Sequence, residues 1–288
     1  MLKKLKSTLI INAIGFALLM VCLYGYQGFM SSVQGVSHEK VVVDEDLLKE
    51  RLSLCSTAEL EEMLAAGLEV EEWNQMLRKT GSHVVSEVLK GQGVFTTMEH
   101  YPLSDTFDGE TYSQYYYHAH RGGEHGHFHL FLRQGGMEIG TIPILYDERN
   151  QKLDNIQTFA HLIAISMDDQ GIPIGLFTVN RWVTGEDWYA ACDLKKMVQR
   201  FSVNHAHPSY VVNRWLKAML ILFLPQIHDL IDARDKVLQS YQKGVPLKAV
   251  LEDQELDVLS EEKISIETQI KLIKMVLEER GQDAPKNH

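Results

Sequence analysis

Residues 113–133 read SQYYYHAHRGGEHGHFHLFLR, and the fold turns on how this stretch pairs with itself. Gly122-Gly123 lies between two aromatic, alternating runs, the signature of a β-hairpin closed by a primed two-residue turn. Counting outward from that turn sets Arg121 against Glu124, an opposite-charge cross-strand pair. His120 then faces His125, His118 faces His127, Tyr117 faces Phe128 and Tyr116 faces His129. Side chains alternate between faces along a strand. One face is therefore expected to carry Tyr116, His118, His120, His125, His127 and His129. The other carries Tyr115, Tyr117, Phe128, Leu130 and Leu132, a core-facing set. A four-residue loop, residues 121–124, keeps this register, whereas a loop one residue shorter or longer scatters the histidines over both faces.

The histidines make that surface chemical. Five of the chain's thirteen lie in this stretch. Imidazole ligates zinc, iron, copper and nickel. Alternate positions on one strand put two rings on one face, and the opposing strand adds more. His118, His120, His125 and His127 are the expected ligands of a divalent metal, zinc or iron by preference. His129 or Glu124 would act as acid/base or as a supporting group. Arg133 and Arg181 are the basic side chains expected to clamp a small-molecule substrate, anionic in character. The function expected from this face is that of a metal-dependent enzyme. Two further readings stand beside it. One is a non-enzymatic metal-binding or pH-responsive module. The other is metal-free phosphoryl or nucleotidyl transfer by His127 or His129, which needs a helix N-terminus or backbone nest to hold phosphate.

Composition narrows the partners. Asp and Glu number 39 against 28 Lys and Arg, a net charge of −11, and no basic run follows the first six residues. Nucleic acid is not an expected partner. Cys22, Cys55 and Cys192 form no CxxC pair, so no disulfide framework is expected.

Residues 1–26 read as a membrane-targeting segment. Lys3, Lys4 and Lys6 precede an apolar run over 8–24 broken only by Asn12 and Gly15, near the lower limit of roughly 17–25 residues for a spanning helix. The basic flank predicts a single-pass inner-membrane anchor with the remainder exported. A cleaved signal leaving a periplasmic domain, and a buried helix of a cytoplasmic protein, are the competing readings. A linker over 27–55, an α+β domain over 56–245 and a C-terminal helical segment over 246–288 follow. Ser56 and Glu59 form a capping box that opens a helix to about Arg78, with Leu60, Met63, Leu64 and Leu68 as its buried stripe.

Residues 101–110 (YPLSDTFDGE) read as an acidic, turn-rich loop, in which Asp105 and Asp108 either cap loop backbone or orient a histidine. Residues 159–167 and 172–179 form a second hairpin, with His161 on the side of Ile163 and Ile165 as a structural strand-end residue. His205 and His207 form a second H-x-H, either an extension of the metal site or a polar turn. The expected fold is α+β: an antiparallel sheet of two β-hairpins flanked by N- and C-terminal helices.

Three resemblances attach to these motifs. His118-x-His120 followed by Glu124 resembles the first metal motif of cupins, although Tyr112 stands where that motif has glycine. Residues 125–131 (HGHFHLF) resemble the histidine-triad motif of nucleotide hydrolases and transferases, with Gly126 where that motif has an apolar residue. From about Ser56 to Leu277 the chain is similar to a family of uncharacterised bacterial proteins, a domain of unknown function. Residues 115–120, 124–129, 162–167, 180–186 and 213–215, with Pro208, carry that likeness. It implies no activity, and the N-terminal hydrophobic segment stands outside it.

Overall fold

The computed structural model describes residues 43–146 and 158–283, so the expected anchor and most of the expected linker lie outside the described residues. Six strands form one antiparallel sheet in chain order. They are β1 (Tyr101–Phe107), β2 (Ser113–His118), β3 (Gly126–Arg133), β4 (Phe159–Met167), β5 (Pro173–Val179) and β6 (Val258–Lys263). The two expected hairpins, β2–β3 and β4–β5, are its centre. The sheet is a meander, which needs only local connections between neighbouring strands.

One face of the sheet is apolar and packs against helices. Tyr115, Tyr117, Phe128, Leu130, Leu132, Ile163, Ile165, Met167 and Leu176 are all buried there. The cover comes from α1 (Glu45–Leu54), α2 (Thr57–Arg78), α3 (Val84–Leu89), α5 (Ala191–Arg200), α6 (Tyr210–Leu222), α7 (Leu224–Tyr241) and α9 (Ile266–Asp283). The short α4 (Arg181–Thr184) and α8 (Leu247–Leu251) lie in the connections around β5 and β6. The polar tip of Tyr115 is satisfied within this layer: its hydroxyl donates to Asn213 Oδ1 at 2.5 Å. Among the described residues, no helix is long and apolar enough to cross a membrane.

The capping box forms as its residues require. Glu59 N–H donates to Ser56 Oγ at 3.2 Å and Ser56 N–H to Glu59 Oε2 at 2.7 Å, and α2 runs to Arg78. Its buried row differs from the expected stripe. Leu60, Met63, Gly67, Val70 and Leu77 face inward, while Leu68 is 46% exposed. Gly67 explains the rotation. A Cβ there would stand 2.7 Å from Ile270 Cγ1 and 3.0 Å from Leu222 Cδ1, so the glycine row is where α6 and α9 come closest.

Three stretches are more ordered than their residues suggested. Residues 45–54, expected as linker, form α1, capped by Asp44 through Leu47 N–H. Residues 101–107, expected as loop, form the edge strand β1, where Pro102 needs no ladder donor. Residues 258–263, inside the expected C-terminal helical segment, form the other edge strand, and Glu261 and Glu262 give it a charged border.

The central pairing runs as counted, Tyr116↔His129, Tyr117↔Phe128 and His118↔His127, and then stops. The primed turn does not form, because Gly123 has φ 85° but Gly122 does not share the positive φ. Gly126 leaves β2 and pairs with Met167 of β4, and His125 N–H donates to Met167 O at 2.8 Å. Gly126 is also required by space. A Cβ there would sit 2.5 Å from the His118 carbonyl oxygen and 2.6 Å from the Tyr117 hydroxyl. The carbonyl is backbone and cannot swing aside. Gly126→Ala is expected to destabilise the chain by about 1–3 kcal/mol. Gly122→Ala, with nothing within 4 Å of its Cβ, is expected to stay within about 0.5 kcal/mol of wild type. Urea denaturation of both variants checks this, and equal midpoints would contradict it.

Candidate metal centre

On the sheet face away from the helices, β2 and β3 bring three imidazoles together. One ring nitrogen each from His118, His127 and His129 lies within 4.8 Å of the other two. Their ring centroids are 4.5 Å apart for His118 and His127, 4.7 Å for His127 and His129, and 5.1 Å for His118 and His129. His118 Nε2 and His127 Nε2 face each other at 2.7 Å. All three residues are buried, at 7%, 0% and 1% exposure. Phe177 walls the cluster from β5, with its ring 5.1 Å from His127. His120 is exposed at the rim, 4.8 Å from His118 and 5.0 Å from His127 between ring centroids.

Two of the three rings are held from behind. His127 Nδ1 makes a short hydrogen bond with Glu124 Oε1. Burial works against the charge on Glu124, but hydrogen bonds from His127 and Ser166 win and hold its carboxyl below the usual range. An ionised carboxylate can only accept, so His127 carries a proton on Nδ1, and the neutral form of the ring presents its lone pair at Nε2. His129 Nδ1 lies 2.9 Å from His161 Nε2. The far nitrogen, His129 Nε2, is buried with no hydrogen-bond partner. Such an orphan costs about 1–3 kcal/mol, and a bound ion would offset it.

Burial also keeps His118 and His129 neutral. It pushes His118 down to about 2, helped by the neighbouring His127, His120 and His100. It holds His129 well below the ordinary histidine range, with His161 and His127 adding to the effect. Neutral imidazole is the form that ligates metals.

The other expected site residues go elsewhere. His125 does not share the histidine face. Its Nδ1 meets the Tyr117 hydroxyl at 2.6 Å and its ring stacks on Phe95 at 5.3 Å, on the helix-covered side. Glu124, which its pairing with Arg121 one step beyond His120 and His125 would put on the face opposite the histidines, turns to His127 instead. Both changes follow from the strands parting after His118 and His127, which frees residues 119–125 from strict alternation. Arg121 leaves Glu124 and reaches Glu261 at 3.3 Å, lying 4.3 Å over the Phe177 ring.

Arg181 is buried and ion-paired with Glu252. Arg133 stays on the histidine face, donating to Gln114 Oε1 at 2.7 Å. His205 and His207 form a turn whose carbonyls accept from Asn213 Nδ2 at 2.8 and 3.0 Å, and His205 Nε2 lies 3.1 Å from the Phe107 carbonyl oxygen. Asp108 caps loop backbone at Glu110, Thr111 and Asn204.

Sequence reasoning missed the part played by His100 and His161, while one of its two readings of Asp105 had that carboxylate orient a histidine. Asp105 orients a histidine that periodicity did not single out: its Oδ1 lies 3.0 Å from His100 Nδ1, and the His100 ring stacks on Tyr116 at 3.6 Å. His161 was placed on the helix side, but a bulge brings it round to Phe131 and His129. Only the cluster of histidines in the stretch itself was a usable signal. Nothing in the alternation of residues 159–167 marks the bulge.

A family model described as a domain of unknown function (DUF6969) matches residues 64–264. The chain belongs to that family. The matched region holds His100, Asp105, the whole histidine cluster and Glu186, so the arrangement lies inside the family domain. No curated protein and no solved structure matches the chain.

Glu186 is the most perturbed acid behind the cluster. It is fully buried, accepts from His161 N–H at 2.5 Å and from Thr184 Oγ1 at 3.3 Å, and burial lifts its carboxyl to about 8 against the pull of Arg234 and Arg181. Its folded value is raised above the unfolded one. Between the two, the unfolded chain has released a proton that the folded chain retains, so stability falls as pH rises from 5 to 8. Glu186→Gln does not titrate. Its stability relative to wild type is expected to rise across that window by on the order of a few kcal/mol. Urea denaturation at pH 5 and pH 8 measures the difference, and a pH-independent gap would contradict it.

Proposed function

We propose that the domain is a metal-dependent enzyme whose centre is His118, His127 and His129. The observation that supports this most directly is the buried, partnerless His129 Nε2 beside the 2.7 Å approach of His118 Nε2 to His127 Nε2. With Glu124 holding the His127 proton on Nδ1, that approach needs a proton from His118 or a cation between the rings. A tetrahedral ion with bonds of about 2.0–2.1 Å sets its nitrogens about 3.3 Å apart, so the pair opens by roughly half an ångström on binding.

Three histidines leave a coordination position for water or substrate, the pattern of catalytic zinc and of some iron sites. Bound there, the ion would lower the pKa of water to about 7 and supply a nucleophile. Glu124 then serves as the outer partner of His127, not as the acid/base group. His120 at the exposed rim is placed to be a fourth ligand or to move protons. The substrate is a small molecule entering past His120. Arg181 is ion-paired with Glu252 and Arg133 is held by Gln114, so the anionic character of the substrate rests on the positive charge that Arg133 keeps on this face. A pH-responsive surface is less well supported, because burial removes His118 and His129 from the physiological titration range. The apolar run over 8–24 would tether this domain outside the inner membrane, a reading that rests on Lys3, Lys4, Lys6 and the run alone.

The full chain, expressed with zinc and iron supplied, is expected to carry about one metal ion. His127→Ala and His129→Ala are each expected to lose most of it, and His205→Ala none. Elemental analysis reads the result, and wild type free of metal sinks the proposal.

A further inference from the structure

His161 reaches the histidine face through an irregularity. β3 and β4 pair regularly to Leu130↔Ile163, and the next pair is Phe131↔His161, which skips Leu162. Strict alternation would put His161 on the side of Ile163, under the helices. The bulge turns it to the other face, and bulges re-aim side chains beside functional sites. The turned residue is anchored at its backbone, where N–H donates to the fully buried Glu186 carboxyl at 2.5 Å.

Its ring is positioned as well. Both rings are buried and His161 Nε2 lies 2.9 Å from His129 Nδ1, so one of these two nitrogens carries the proton between them. His129 Nε2 is buried without a partner, and as a metal donor it must present a lone pair. That puts the His129 proton on Nδ1, donating to His161 Nε2.

We propose that His161 is a positioning residue of the metal centre: it fixes His129 in the Nδ1–H tautomer and aims Nε2 at the ion. This rests on the metal reading above. It gives the centre two outer partners of different chemistry, a carboxylate behind His127 and a neutral imidazole behind His129. Outer partners of this kind typically contribute 10–100-fold to metal affinity.

The test uses the full chain, stripped of metal and titrated with zinc against a chelator of known affinity. His161→Leu removes the acceptor. His161→Gln restores an amide oxygen near the place of Nε2, an acceptor toward His129. Expected are a 10–100-fold loss of zinc affinity for His161→Leu and substantial recovery for His161→Gln, with the melting temperatures of the metal-free forms close together. Zinc affinity of His161→Leu within about threefold of wild type would overturn the positioning role and leave the metal centre standing. Wild type that takes up no zinc overturns both. Should His161→Leu fail to fold, nitrogen NMR of the metal-free wild type decides: a proton on His129 Nδ1 supports the assignment, and a proton on Nε2 refutes it.

Discussion

The pairing of His118 with His127 across β2 and β3 is the constraint on which the rest depends. A strand has period two, so this one register assigns every side chain of the hairpin to a face. Slipping it by one residue would take Phe128, Leu130 and Leu132 out of the helix-covered core and put imidazoles in their place. Each of those side chains is worth about 1.5–3 kcal/mol on burial. Three together approach the whole stability of an ordinary domain, about 5–15 kcal/mol. The apolar face therefore holds the histidine face in place. Chemistry on one side of the sheet is fixed by packing on the other.

That coupling is why so much was legible from residues 113–133. The alternation of tyrosine, phenylalanine and leucine with histidine specifies both faces, and the register follows once a hairpin is assumed. Legibility ended where the ladder ended. After His118 and His127 the strands part, and the turn residues answer to local contacts. Glu124 swings in to His127 because a buried imidazole needs an acceptor, and His125 swings out to the Tyr117 hydroxyl and Phe95. Composition could not assign those two neighbours to opposite faces, since both are polar and both find buried partners.

The other differences share a cause. A bulge shifts phase without leaving a mark on hydrophobic pattern, so His161 seemed bound for the helix side, although Leu162 and Ile163 are equally apolar and either could face the core. The edge strands β1 and β6 carry Pro102, Glu261 and Glu262, residues that discourage further pairing and so resemble loop. The buried row of α2 passes through Gly67, whose role lies in how closely another helix can approach. Each depends on a partner distant in the chain.

The cluster that results has a consistent proton arrangement. Glu124 accepts from His127 Nδ1, and His161 Nε2 stands 2.9 Å from His129 Nδ1. With the ring protons on those two Nδ1 atoms, two Nε2 lone pairs are directed into a site where His118 completes the set. X-ray absorption at the zinc edge of the zinc-loaded full chain tests this most directly. It should show nitrogen or oxygen donors at about 2.0–2.1 Å with the outer-shell scattering of three imidazoles. A spectrum with no imidazole scattering, or with sulfur as a principal ligand, would contradict a centre built from His118, His127 and His129.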